Sequence, residues 1–145
     1  MASKTKKTEI APEMSLQQLS IAKQQFDQEI ELLANSVQQL QAARSKYEDS
    51  EECVTSQKSI SMNTELLVPL TGSMYVLGRV KDANTFIVDI GAGYFVEKNG
   101  KDATDYFKRK VKFLNEKIEK YAKLLQEKVH MREKIMMALS ETSLH

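Results

Sequence analysis

Apolar residues along this chain recur first at alternating intervals of three and four, then in short continuous runs, then at three and four again. In the first stretch one line of positions is Leu19, Phe26, Leu33, Leu40, Tyr47 and Val54; the other is Leu16, Lys23, Ile30, Val37, Arg44, Glu51 and Lys58. Two positions per heptad form a stripe too narrow to cover a globular core, which is the mark of a coiled-coil seam. No Gly or Pro interrupts residues 15–60, so the pattern predicts one helix over 15–60, about 69 Å long at ~1.5 Å per residue. Its start is signalled locally. Ser15 and Gln18 have capping-box spacing, and Met14 and Leu19 have that of a hydrophobic staple. The last stretch repeats the pattern through Val111, Ile118, Leu125, Arg132 and Leu139, and through Phe107, Leu114, Tyr121, Lys128 and Ile135. It predicts a second helix over 102–140, beginning at Asp102 with Asp105 completing an acidic cap.

All five Gly and the second Pro fall between these stretches. Leu66–Leu70 and Met74–Val80 read as strands joined at Thr71-Gly72-Ser73. Phe86–Ile90 and Tyr94–Glu97 read as two more, joined through Gly91-Ala92-Gly93. Short Gly-bearing connections of this kind make hairpins, so residues 65–98 are expected to hold two of them, with Lys81–Thr85 as a polar link. The strands are apolar on both faces, and isolated hairpins are marginal in water. The expected organisation is therefore a tail over 1–14, one domain over 15–140 and a short tail over 141–145.

Charge changes this picture in one respect. The chain has 145 residues and a net charge of +1, which gives no general pull toward nucleic acid or an anionic membrane. The sign is nonetheless divided. Residues 15–60 carry four basic and seven acidic side chains, and residues 103–140 carry ten and five. Opposed flanking charges favour the two helices as mutual partners. The fold class expected is α+β: a long antiparallel two-helix coiled coil with two β-hairpins between the helices. Open strand edges with two apolar faces are a liability in a monomer. They are resolved if strands from several subunits close into an intersubunit β-barrel.

Candidate chemistry is sparse. A two-helix coiled coil encloses no pocket, and no Ser, His and Asp set can be assembled from the heptad register, so no catalytic residues and no enzyme activity are expected. Gly91-Ala92-Gly93 lacks the third Gly and the following helix of a dinucleotide loop, and Thr71-Gly72-Ser73 lacks a nucleotide-binding Lys. Cys53 and His130 are too few for zinc; no metal and no cofactor are expected. Lys108-Arg109-Lys110 reads as a solvated face. No apolar run has the roughly 18 to 20 residues of a membrane span, the basic start has no apolar segment behind it, and the single Cys suits a reducing compartment. The expected location is the cytoplasm, with the nucleus open to it.

Helix, two hairpins, helix at this length resembles the α-class of prefoldin subunits, whose β-class has one hairpin. Glu65-Leu66-Leu67-Val68-Pro69-Leu70-Thr71 and Met74-Tyr75-Val76-Leu77-Gly78-Arg79 are similar to the first hairpin of the eukaryotic α-class. Asp89-Ile90-Gly91-Ala92-Gly93-Tyr94-Phe95-Val96-Glu97-Lys98 is closer still, together with Phe107-Lys108-Arg109-Lys110. The likeness covers roughly 15–140; the sequence departs from it in having no extended tail before His145. The resemblance implies an ATP-independent holdase, a heterohexamer of two α-class and four β-class subunits. Its coiled-coil tips would hold unfolded actin and tubulin and pass them to the cytosolic chaperonin. Nucleic acid and membrane are not expected partners. On this reading the client-binding tip is Met14, Leu16, Leu19, Met131, Ile135, Met136, Met137 and Leu139, since adaptable Met suits promiscuous contact. Subunit assembly falls to Leu67, Val68, Leu70, Tyr75, Val76, Phe86, Val88, Ile90, Tyr94, Phe95 and Val96. The rival reading is a non-chaperone coiled-coil scaffold or transcriptional adaptor, which would need only a loop between its helices.

Overall fold

A computed structural model describes residues 15–144 of the chain. The tail expected over 1–14, including the Met14 half of the staple, and the last residue of the tail expected over 141–145 lie outside the described residues. The elements run α1 (Leu16–Ser56), a 3-10 turn (Gln57–Ser59), β1 (Glu65–Pro69), β2 (Tyr75–Arg79), β3 (Thr85–Gly91), β4 (Tyr94–Asn99) and α2 (Gly100–Ser143). Two long helices thus flank two antiparallel hairpins, β1–β2 and β3–β4, which form separate two-stranded sheets.

The helix ends show how local chemistry sets the boundaries. At the start of α1 the expected capping box is closed in both directions. The Ser15 N–H donates to Gln18 Oε1 at 3.0 Å and the Gln18 N–H donates to Ser15 Oγ at 3.2 Å. At its end the Thr55 and Ser56 hydroxyls donate to the carbonyls of Glu51 and Glu52. Such bonds compete with the helix ladder, and the chain tightens into the 3-10 turn before residue 60. The start of α2 differs from the expectation at Asp102. The helix begins at Gly100, and the cap is Asn99, whose Oδ1 accepts from the Asp102 N–H at 2.8 Å. Asp102 instead lies in the first turn, where a carboxylate suits the positive end of the helix dipole. Strand β4 runs into the helix without a loop, so one Asn both ends the strand and caps the helix.

In β1–β2 the pairs are Glu65↔Arg79, Leu66↔Gly78, Leu67↔Leu77, Val68↔Val76 and Pro69↔Tyr75. The first is also an ion pair at 3.1 Å. In β3–β4 Phe86 faces Lys98, Val88 faces Val96, and a bulge shifts the register between Asp89 and Gly91. The two-residue turn Ala92-Gly93 has φ of 53° and 79°. Positive φ at both central positions is the geometry whose twist matches a hairpin.

The chain divides into two compact units. One is Ala42–Asn115; the other consists of the described residues of Met1–Gln41 and Glu116–His145. The core of the first is Val54, Val88, Ala103, Tyr106 and Phe107, with Tyr47 and Phe86 packed on it. Phe107 stands edge-on to Tyr106 at 5.5 Å and tilted against Tyr47 at 6.2 Å. The helices are antiparallel there, since Arg44 donates to Asn115 at 2.9 Å while Glu51 lies 4.0 Å from Lys108. In the second unit they are antiparallel as well: Asp27 pairs with Arg132 at 3.2 Å and Glu29 with Lys128 at 2.8 Å.

Candidate functional site

Two regions were singled out by sequence, the hairpins and the paired helix ends. In the hairpins, strand alternation sorts the side chains. Residues opposite each other share a face, so Phe86, Val88, Val96 and Lys98 form one side of β3–β4. Val88 on that side is 4% exposed, within the core of its own chain, and Phe86 packs beside it. The sequence placed both in subunit assembly. The structure gives them a prior task inside the chain, because Val54, Ala103 and Phe107 reach that face first. The remaining nine assembly candidates, Leu67, Val68, Leu70, Tyr75, Val76, Ile90, Tyr94, Phe95 and Val96, are all exposed. Leu77 and Ile87 join them and were not singled out; period-two alternation with Tyr75 and Asp89 is the signal for them. In β1–β2 neither face is covered. Leu67 and its cross-strand partner Leu77 are 64% and 63% exposed. Gly78 is needed for the close approach of Val68, whose Cγ2 lies 3.1 Å from where a Cβ would stand.

The link between the hairpins is not a slack connector. Asp82 accepts hydrogen bonds from the Asn84 N–H and the Thr85 hydroxyl. These bonds, Thr85 first, hold its carboxyl below the usual carboxylate range. The ordered turn presents Asn84 Oδ1 to the Gly100 N–H at 3.2 Å. Asn84 and Asn99 therefore share the start of α2, and a Cβ at residue 100 would stand 3.1 Å from Asn84 Oδ1.

At the helix ends, the ion pairs of Asp27 and Glu29 place the start of α1 beside the end of α2. The seam residues Lys23 and Arg132 both reach Asp27. Hydrogen bonds from Lys23 and then Arg132 lower its pKa. Lys128 also lies over the Phe26 ring at 5.4 Å. Arg132 Nε is buried with no hydrogen-bond partner among the described residues. A polar seam residue of this kind costs stability and fixes register. Of the tip candidates, Met14 lies outside the described residues. Leu19 is 1% exposed, and Ile135 and Leu139 are half-buried. Leu19 is thus removed from the accessible surface, because it fills the seam its heptad position predicts. Leu16, Met131, Met136 and Met137 are exposed, Met137 by 66%. Ile21 and Leu144 are exposed in the same unit and were not singled out by sequence. Both lie off the two heptad lines.

Among the described residues no group of His, Cys, Asp and Glu is placed to hold a metal ion, and no helix is long and apolar enough to cross a membrane.

Comparison with known proteins agrees with this arrangement. The family model for prefoldin subunits matches residues 26–144. The chain is 43% identical over 129 residues to prefoldin subunit 5 of Homo sapiens, covering 89% of this chain and 84% of that protein. It is 41% identical over 132 residues to a probable prefoldin subunit 5 of Drosophila melanogaster, covering 91% and 76%. With prefoldin subunit 5 of Arabidopsis thaliana the identity is 31% over 139 residues, covering 96% and 91%. Among solved structures, filamentous PFD from Methanocaldococcus jannaschii shares the fold with a TM-score of 0.69 at 20% identity, covering 80% of this chain and 96% of that one. Two long helices, two intervening hairpins and a family match across most of the length have one consequence: the chain belongs to the prefoldin family and is a chaperone subunit, not an enzyme.

Proposed function

We propose that this chain is an α-class subunit of an ATP-independent holdase, a heterohexamer with a second α-class and four β-class subunits. In this reading the exposed strands join a shared β-barrel. The helix ends capture unfolded polypeptides of the actin and tubulin class for delivery to the cytosolic chaperonin. The work is done in the cytoplasm, with the nucleus as a second compartment.

The observation that carries the reading is the bare apolar surface of β1–β2, with Leu67, Tyr75 and Leu77 each more than half exposed. A scaffold that only reverses two helices needs no such surface, whereas a strand module completed by neighbours does. Client capture rests on Leu16, Met131, Met136 and Met137. They are exposed, adaptable and set where several weak contacts from different arms can add by avidity.

The test is co-expression with β-class partners, subunit counting by mass, and light scattering of denatured actin diluted into the complex. The expected complex contains two α-class subunits, one of them this chain. Changing the three exposed Met to Gln should leave it assembled but weaken protection at limiting complex. Equal protection by both forms would make this arm a spacer.

A further inference from the structure

Apart from the apolar strands and the helix ends, the unit Ala42–Asn115 contains a groove of about 590 Å³ that neither role uses. It lies between the last turn of α1, the link that carries Asn84, and the first turns of α2. Its apolar lining comes from Val54, which is buried, and from Ile60 and Phe86, which are half-buried. The exposed residues Lys58, Lys101 and Lys108 line it as well, and among the described residues Asp105 is its one carboxylate. The charge of this lining is poorly met from within. The nearest acid to Lys108 is Glu51 at 4.0 Å, with the lysine side chain 64% exposed. At the helix start the N–H groups of Gly100 and Asp102 are already taken by Asn84 and Asn99.

We propose that this groove is a docking site for an acidic linear peptide segment carrying one apolar anchor, belonging to a folded partner protein. The volume lies within the range of ligand-sized clefts. The apolar lining takes an aliphatic or aromatic side chain, and the three ammonium groups take flanking carboxylates, an arrangement that steers encounter and fixes register. Nucleic acid fits less well. A backbone track needs cations in a row with exposed aromatic faces for stacking, whereas Phe86 is half-buried and packed against the core.

The experiment uses the assembled complex containing this chain. The probe is a fluorescein-labelled peptide, Glu-Asp-Leu-Glu-Asp, followed by fluorescence anisotropy. Saturable binding is expected, weakening as salt is raised from about 50 to about 300 mM. The double change Lys58→Glu and Lys101→Glu should raise Kd about tenfold or more. Both side chains are exposed, so circular dichroism should be unchanged. The same variant should protect denatured actin as well as the unaltered complex does, which separates this site from the client-binding tip. Replacing the peptide Leu by Ser should weaken binding several-fold. Equal binding by the reversed variant, or by the Ser peptide, would overturn the proposal in favour of diffuse charge attraction. Displacement of the peptide by a single-stranded DNA oligonucleotide at equal concentration would reassign the surface to nucleic acid. Binding to the free chain but not to the complex would make the groove a contact between subunits, and would equally overturn it.

Discussion

Both hairpins are antiparallel two-stranded sheets, yet they are held differently. β3–β4 is fastened by its own chain, with Val88 buried against Val54, Ala103 and Phe107 and with Phe86 beside it. β1–β2 has no residue buried on either face, and every residue of its strands except Gly78 is exposed. A two-stranded hairpin with nothing packed on it is marginal in water. One hairpin is therefore fastened by its own helices, and the other, left bare by its own chain, is the one that neighbouring subunits would complete in the proposed assembly. Apolar content alone does not separate these roles; the presence of a third element against one face does.

The largest test of that difference is Val88→Asp. The carboxylate would enter an apolar core formed with Val54, Ala103, Tyr106 and Phe107, at a cost of roughly 3 to 5 kcal/mol. Helix α2 near Ala103 and Phe107 should lose hydrogen-exchange protection in the isolated chain, before any partner is added. A chain that melts normally and fails only at assembly would return Val88 to the intersubunit surface.

Leu67→Asp, in the other hairpin, should do the reverse. Leu67 is already 64% exposed, so the free chain should change by about 0.5 kcal/mol or less. Entry into the complex should be lost, because assembly would then bury an unpaired charge. Size-exclusion chromatography with partner subunits, alongside urea melts of the chain alone, reads both quantities.

How far this contrast could be read from sequence follows from what each level of structure depends on. The seams were legible because a 3/4 apolar spacing kept up over many turns matches the helical period and no strand period, and Leu19, Val54, Leu114 and Ile118 are buried where it put them. The Ser15 and Gln18 cap was legible because both halves lie within one turn of each other. The start of α2 was misplaced because Asn99-Gly100 reads equally as a turn. The separate fates of Val68 and Val88 were not legible at all. Phe86-Ile87-Val88 and Leu66-Leu67-Val68 are equivalent locally, and only the proximity of Ala103 and Phe107 in three dimensions distinguishes them. Pairing of Asp27 with Arg132, a contact across 105 positions, was hidden for the same reason.

A smaller effect concerns the link that joins the two hairpins. The pKa of Asp82 is lowered by the Thr85 hydroxyl and the Asn84 N–H. A depressed carboxylate contributes stability that is present in full above its unfolded value, here 3.8, and is lost as pH falls through the lower folded value. The acid limb of the stability curve below about pH 4 should therefore be shallower in Asp82→Asn than in the unaltered chain. Exchange at the Gly100 amide, which Asn84 holds, should report the loss directly. Identical acid limbs would mean that the link is ordered by packing and not by these bonds.

The smallest expected effect is a gain. Ala92 sits at φ 53° in the β3–β4 turn, a left-handed conformation that costs a residue with a Cβ about 1 to 2 kcal/mol. Gly relieves the clash but adds freedom to the unfolded chain. Asn accepts the conformation at less entropic expense, and Asn followed by Gly is the preferred pair for this turn. Ala92→Asn should therefore stabilise the hairpin by about 0.5 to 1 kcal/mol, slightly more than Ala92→Gly. The gain should be visible without partners, because β3–β4 is tied to the helices through Val88, and strand amides such as Val88 and Val96 should exchange more slowly. Amides of β1–β2 should not respond, since the two hairpins form separate sheets with no ladder between them among the described residues. Slower exchange in both hairpins would show that they fold as one unit in the free chain, and that the division between a self-fastened and a partner-dependent hairpin is too sharp.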